Sequence, residues 1–325
     1  METTRTELVA SSLWAMGSGT HRQVRSKAKR AWAVCGIDHV FVAGVTAVVG
    51  PNGSGKTTLL RLLATIRAPA RGEVVFEGRR VDTGGVSSAD IRRYRACLGY
   101  LPQSFGLYPG MSSRQFVRYI GELKAVDPRE LDERVDRALV MCGLDPACNR
   151  TLSRRSEGER RRTGLAAAVV AWPRVAILDE PMRSSDPIER LRCKGLLRAL
   201  ADAGAVCIVA SSAISDVDGL CDRLLVLDGG RLAFAGAPHE LTAMAQGCVF
   251  TAEFPSAAAC GHQPPTGTVD TVIASASRRP GGTMRVRAVT PPGWTPSPEW
   301  VPARPSLEEA YLWLRTFGAS SSYRD

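Results

Sequence analysis

The chain has 325 residues, 44% of them hydrophobic and 23% charged, with a formal net charge of +10 that arginine mostly supplies. This is the composition of a globular protein long enough for one large domain and a small one. No stretch approaches the ~18 uninterrupted apolar residues of a membrane helix, and METTRTELVASSLWAMG lacks the basic start and apolar centre of a secretion signal, so a soluble cytoplasmic chain is expected.

In chain order, residues 1–24 show no clear periodicity and are expected to form a mobile tail. VTAVV (45–49) is a β-branched run, followed by a glycine-rich loop and by TTLLRLLATI at helical spacing, which makes a strand–loop–helix unit. EVVFEG near residue 75 reads as another strand, and helical patterns with alternating charge fill much of 114–144. Strands recur at 174–178, 205–210 and 223–228, with helical segments around 188–201 and 215–221. Gly229 and Gly230 then turn the chain into LAFAG. Strands alternating with helices predict an α/β fold around a mainly parallel sheet covered on its faces. Past residue 247, VFTAEF, TVDTVIAS and TMRVRAVT read as strands between proline- and glycine-rich turns. SLEEAYLWLRTF reads as a helix opened by Ser306, with Glu309 at the capping-box position. The expected organisation is a tail at 1–24, an α/β domain at 25–246 with a helical subdomain at about 104–165, and a small α+β domain at 247–325.

The nine cysteines are scattered, odd in number and form no CxxC pair, which favours reduced packing cysteines over zinc ligands or disulfides. The basic balance suits nucleic acid, membrane headgroups or nucleotide phosphates. No nucleic-acid module and no aromatic platform accompanies it, so a surface beside an anionic membrane is the favoured reading and no nucleic-acid partner is expected.

GPNGSGKTT, from Gly50 through Pro51, Asn52, Gly53, Ser54, Gly55, Lys56 and Thr57 to Thr58, fits GxxxxGK[ST]. Glycines let backbone N–H groups converge on phosphates, and the following helix adds its positive end. Lys56 would reach the β- and γ-phosphates of ATP, and the Thr57 hydroxyl would ligate Mg²⁺. Downstream, VAILDEP places Asp179 and Glu180 at the end of an apolar strand. In a P-loop protein such an aspartate holds Mg²⁺, usually through water, and an adjacent glutamate can polarise the attacking water as general base.

With these motifs, about 32–236 resembles the ATP-binding-cassette family, and within it the exporter-type single-cassette ATPases that work with a separate membrane permease. LGYLPQSFGLYPGMSSRQFVRYIGELK resembles that subgroup's Q-loop and helical subdomain. The resemblance implies that Gln103 contacts Mg²⁺ and the lytic water and senses the permease. The family signature LSGGQ is matched best by RSEGE, where Ser156 and Gly158 survive and would face a partner's ATP. Glu157 replaces a glycine there; LSRR at 152–155 is a rival alignment that lacks both glycines. The arginines around the signature are read as a solvated helix face. Asp186–Pro187 matches the family's D-loop, but Met182, Arg183, Ser184 and Ser185 before it do not. The switch histidine aligns with Ala213, and the aromatic residue that stacks on adenine aligns near Ala28; neighbouring Trp32 reads as core packing. An alanine neither hydrogen-bonds a phosphate nor relays a proton, so slow hydrolysis is expected.

The resemblance implies an ATPase subunit that uses ATP and Mg²⁺, dimerises with itself or with a second cassette subunit, and meets the membrane only through a permease. Two alternatives stay open: a non-hydrolysing nucleotide switch in a heteromeric transporter, and a soluble ATP-dependent nucleic-acid factor.

Overall fold

A computed structural model describes residues 6–17, 32–84, 87–183, 185–255 and 271–318. The chain divides into two compact units, 1–235 and 236–325.

The first unit contains β1 (Glu7–Met16), β2 (Trp32–Val42), β3 (Gly44–Val49), α1 (Lys56–Leu63), β4 (Arg71–Phe76), β5 (Arg79–Arg80), α2 (Ser88–Cys97) and β6 (Leu98–Leu101). It continues with α3 (Ser113–Leu123), α4 (Leu131–Met141), α5 (Glu157–Val169), β7 (Val175–Asp179), α6 (Pro187–Asp202), β8 (Val206–Ser211), α7 (Ile214–Val217), β9 (Arg223–Asp228) and β10 (Arg231–Gly236). One sheet has the order β10-β9-β3-β8-β7-β6, and the other β2-β1-β4-β5. In the larger sheet β3 runs parallel to β8 and β9, and β7 runs parallel to β6 and β8.

Both faces of the strands β3, β7, β8 and β9 are buried, which explains why they are continuous apolar runs rather than alternating ones. Ala176, Leu178, Cys207 and Val209 pack into a core with the helices of the subdomain. Val175, Ile177, Val206, Ile208 and Ala210 face the opposite way, into a core built with α1, β1 and β2. The predicted helical stretch at 114–144 is the pair α3 and α4, which pack on each other and on α5.

The expected tail is overturned. Residues 7–16 form a strand that pairs antiparallel with both β2 and β4 and buries Leu8, Ala10, Leu13 and Ala15. Its period of two is interrupted by a register shift between Ala10 and Leu13, where Ser12 takes a φ of +44° and its N–H donates to Asp38 Oδ1 at 2.7 Å. That bulge hides the alternation from sequence inspection. Residues 1–5 and 18–24 of the expected tail lie outside the described residues.

The second unit begins earlier than the predicted boundary at 247, because α8 (Pro238–Met244) packs on α9 (Leu307–Thr316) within it. Strands β11 (Val249–Pro255), β12 (Val272–Arg278), β13 (Thr283–Val289) and β14 (Val301–Pro302) form a sheet of order β12-β13-β11-β14. Phe250, Ala252, Val286, Ala288 and Trp300 make its core. The TVD at the start of the predicted middle strand lies outside the described residues. Ser306 caps α9 with Glu309 reciprocating, as the sequence predicts.

Among the described residues no helix is long and apolar enough to cross a membrane. No group of histidine, cysteine and acidic residues there could hold a metal ion as a cluster of three or more.

Candidate nucleotide site

The loops after β3, β6, β7 and β8 leave the same edge of the parallel sheet, because register places Val49 beside Ser211, Asp179 beside Ala210 and Leu101 beside Leu178. Carboxyl ends of parallel strands are where α/β sheets gather ligands. Here they enclose a cleft of about 530 Å³ lined by residues 52–58, Gln103, Glu180, Arg183, Ser212, Gly17 and Ala33.

The phosphate loop follows β3 and ends at α1. Gly50 and Gly55 are required by close backbone approach. A Cβ on Gly50 would lie 2.2 Å from the Leu227 carbonyl oxygen, and one on Gly55, at φ +106°, would lie 2.1 Å from that of Ala33. Lys56 is buried, and its Nζ donates to the carbonyls of Gly50 (2.7 Å) and Pro51 (3.1 Å). Burial pulls its pKa down, while Glu180 and Asp179 pull it back up. Ser54 is buried with no hydrogen-bond partner for its hydroxyl.

Asp179 closes β7 and is wholly buried, and neither carboxylate oxygen has a hydrogen-bond partner. Burial pushes its pKa up; the nearby Thr57 hydroxyl offsets this first, then the charges of Arg61, Lys56 and Arg161. An orphaned pair of hard oxygens beside a threonine hydroxyl fits Mg²⁺, which takes oxygen ligands and keeps waters. Glu180, next in the chain, is buried with a φ of +53°, a left-handed backbone uncommon for a residue with a side chain. Its N–H donates to the Ala210 carbonyl at 3.0 Å. Gln103 is exposed at the rim of the cleft.

The sequence matches the ABC transporter family model over residues 40–183. It is 30% identical over 213 residues to the uncharacterized ABC transporter ATP-binding protein YxlF of Bacillus subtilis (strain 168), covering 66% of this chain and 68% of that protein. This chain belongs to the ABC transporter ATP-binding family. The cassette is also 34% identical over 212 residues to the daunorubicin resistance ATP-binding protein DrrA3 of Streptomyces coeruleorubidus, covering 65% of each. Among solved structures, dimeric MJ0796, a bacterial ABC transporter cassette, matches with a TM-score of 0.63 at 20% identity over 71% of this chain and 98% of that one, a likeness of fold.

The cassette departs from the sequence reading at several positions. Ser212, directly after β8, lines the cleft. Ala213 instead caps α7, and its N–H donates to the Ser211 hydroxyl at 3.1 Å. The position near Ala28 lies outside the described residues; at the end of β1 and the start of β2 it is Gly17 and Ala33 that reach the cleft. Trp32 is not core: it is 37% exposed and stacks edge-on against Trp14, with centroids 5.3 Å apart.

Ser156 and Gly158 are not among the residues that line the cassette's own cleft. Ser156 is the N-cap of α5: its hydroxyl accepts from the Glu159 N–H (3.1 Å), and Glu159 accepts from the Ser156 N–H (2.9 Å). The rival segment at 152–154 forms a single 3₁₀ turn. Glu157 is exposed and borders a second cleft, of about 550 Å³, with Gln103, Phe105, Arg160 and Arg161. Asp186 caps α6, accepting from the Glu189 N–H at 2.8 Å, with Pro187 at the first helical position. Ser184 lies outside the described residues.

The arginines around the start of α5 are not uniformly a solvated face: Arg154 and Arg160 are exposed, but their neighbours are not. Arg155 is buried and pairs with Glu159 at 2.9 Å. Arg161 and Arg162 are half-buried, and Arg162 pairs with Glu189. Helical spacing signals this, since Arg161 precedes buried Leu165 by one turn on the same stripe. Ser212, Gly17, Ala33 and Arg183 were missed because a strand end and the two sides of a distant sheet converge only in three dimensions.

Proposed function

We propose that this cassette is the ATPase subunit of an exporter whose membrane-spanning permease is a separate chain, and that it works as a dimer. One observation carries the hydrolytic reading: Lys56, Thr57, Asp179, Glu180, Gln103 and Ser212 meet at one edge of one sheet. Of these, Asp179 alone is wholly buried with both oxygens unpartnered. The kinship with a daunorubicin resistance protein supports export, and the dimeric form of MJ0796 supports pairing.

The phosphate loop, with Gly50, Pro51, Asn52, Gly53, Ser54, Gly55 and Thr58, wraps the β- and γ-phosphates with backbone N–H groups. Lys56 exchanges its two carbonyl partners for phosphate oxygens, so an ammonium that burial destabilises gains anionic partners. When bound, Mg²⁺ supplies positive charge to the phosphates, held by Thr57 and, usually through water, by Asp179, with Gln103 reaching from the rim. Glu180 accepts a proton from the attacking water and orients it toward the terminal phosphate. Ser212 donates its hydroxyl to that phosphate, in the place where a family histidine would stand. Ser156 and Gly158 face the nucleotide of the partner cassette.

A second reading is a nucleotide switch that binds without hydrolysing. Its support is the N-terminus of α5, where Glu159 already caps Ser156 and Glu157 adds a negative charge in the first turn. Phosphate release by the purified chain with Mg²⁺ and ATP separates the two. Turnover that Glu180→Gln abolishes, while ATP still binds, is expected; a wild type that binds ATP and releases no phosphate, alone or with a co-purified permease, would establish the switch instead.

A further inference from the structure

Arg161 stands in the second turn of α5 and sends its guanidinium across to the catalytic edge. Its donors go to main-chain carbonyls. Nε donates to Pro181 at 3.3 Å, Nη1 to Gln103 at 3.4 Å, and Nη2 to Asp179 at 3.0 Å and to Glu180. One side chain thus holds the residue of the β6 loop that carries Gln103 and three consecutive residues at the end of β7. Guanidinium is suited to this, since its N–H groups form a rigid fork and it stays charged.

The segment it grips is the strained one. Glu180 takes a φ of +53°, a backbone state that a residue with a Cβ keeps only when its surroundings impose it. The next arginine grips the far end of the same loop. Arg162 pairs with Glu189, whose N–H in turn is bound by the capping Asp186 at 2.8 Å. The loop from Glu180 to α6 is therefore tied at both ends to one helix.

We propose that Arg161 is a positioning residue for Glu180 and Gln103. It fixes the backbone from which both side chains reach the cleft, and it mechanically joins them to α5, whose N-terminus carries Ser156 and Gly158. The proposal rests on the hydrolytic reading above. In a head-to-tail pair it makes α5 the link between the two nucleotides. Its amino end faces the partner's ATP, while Arg161 sets the geometry at the cassette's own. Displacement at one end of a packed helix reaches the other because helix and strand end are joined by several directed bonds rather than by one contact.

The test compares wild type with Arg161→Gln and Arg161→Lys in the full chain, by phosphate release and by hydrogen–deuterium exchange of the nucleotide-free protein. In Arg161→Gln, kcat should fall about ten- to a hundredfold, as expected for misplacement of a general base, with KM for ATP within about twofold. Exchange over 179–183 should rise about tenfold while 206–211 in β8 stays unchanged. Arg161→Lys, a charge without the fork, should recover part of both. Combining Arg161→Gln with Glu180→Gln should cost little beyond Glu180→Gln alone. Unchanged exchange over 179–183 overturns the clamp whether or not the chain hydrolyses ATP. A raised KM at unchanged kcat overturns the positioning role. Wild-type silence with raised exchange in Arg161→Gln supports the clamp and overturns the hydrolytic reading instead.

Discussion

Replacing Ser212 by alanine removes a hydroxyl at the end of β8 while leaving the strand register and the Ser211–Asp216 hydrogen bond (2.9 Å) intact. A hydrogen bond to a charged acceptor contributes roughly 1.5–3 kcal/mol. Ser212 is exposed at the cleft, which puts it at the lower end, about 1.5 kcal/mol or about tenfold in affinity. With Ser212 facing the terminal phosphate, as proposed, the loss should fall on ATP and spare ADP. Competition titration of a fluorescent nucleotide with ATP and with ADP, in the presence of Mg²⁺, reads the ratio directly. A serine does not titrate near neutrality, so the ratio should be flat with pH in wild type, whereas Ser212→His should bring an inflection near pH ~6.5. The control is Ala213→Gly, at the position that caps α7. If Ser212→Ala leaves the ATP-to-ADP ratio unchanged, or Ala213→Gly moves it as much, the assignment of Ser212 to the terminal phosphate is wrong.

Asp179→Asn should stabilise the nucleotide-free chain by about 1 kcal/mol, by removing an unpartnered buried carboxylate. It should also erase the extra melting shift that Mg²⁺ adds to ATP. The carboxyl's raised pKa fixes the sign: ionised, it costs folding stability, and that cost is relieved as pH falls through its folded pKa. Leu13→Ala should cost about 3 kcal/mol in denaturant unfolding, since Leu13 is wholly buried; a mobile tail would show no change. In the second unit, burial pushes the Glu309 pKa up, but Arg287 at 2.5 Å and the Ser306 amide outweigh it and the net shift is downward. The stability this contributes is present above the unfolded carboxyl's pKa and lost as pH falls through the folded value. Glu309→Gln should remove that acid-limb slope and cost about 2 kcal/mol, measured by melting across pH 3–7.

Much of the core was legible because its signals are local. The phosphate loop, the apolar strand before Asp179 and the capping box at Ser306 each lie within a dozen residues, and each is where sequence reading put it. What stayed hidden depends on pairing between distant segments. The first strand escaped notice because the bulge at Ser12 breaks its alternation, and two serines dilute it further. In sequence the switch histidine aligns with Ala213, whereas in the structure Ser212 lines the cleft and Ala213 caps α7. A strand end facing a cleft and a helix cap are adjacent in sequence, and only the register against β3 and β7 tells them apart. Arg161 was read as solvated because a run of arginines looks uniform, although Arg161 and Arg162 of the run are half-buried and only Arg160 is exposed.

The position of β1 between β2 and β4 has a consequence for how the chain is made and shortened. β1 cannot gain its second neighbour until Phe76 has been added. At ~5–20 residues per second that is a wait on the order of several seconds, during which β1 can pair only with β2 and leaves its other edge open. A version trimmed to start at residue 25 would never fill the slot. β2 and β4 would then each present an open row of amide and carbonyl groups across an apolar gap, a template for another chain's strand. Such a protein should precipitate or form intermolecular sheet, with its phosphate loop still written correctly in its sequence.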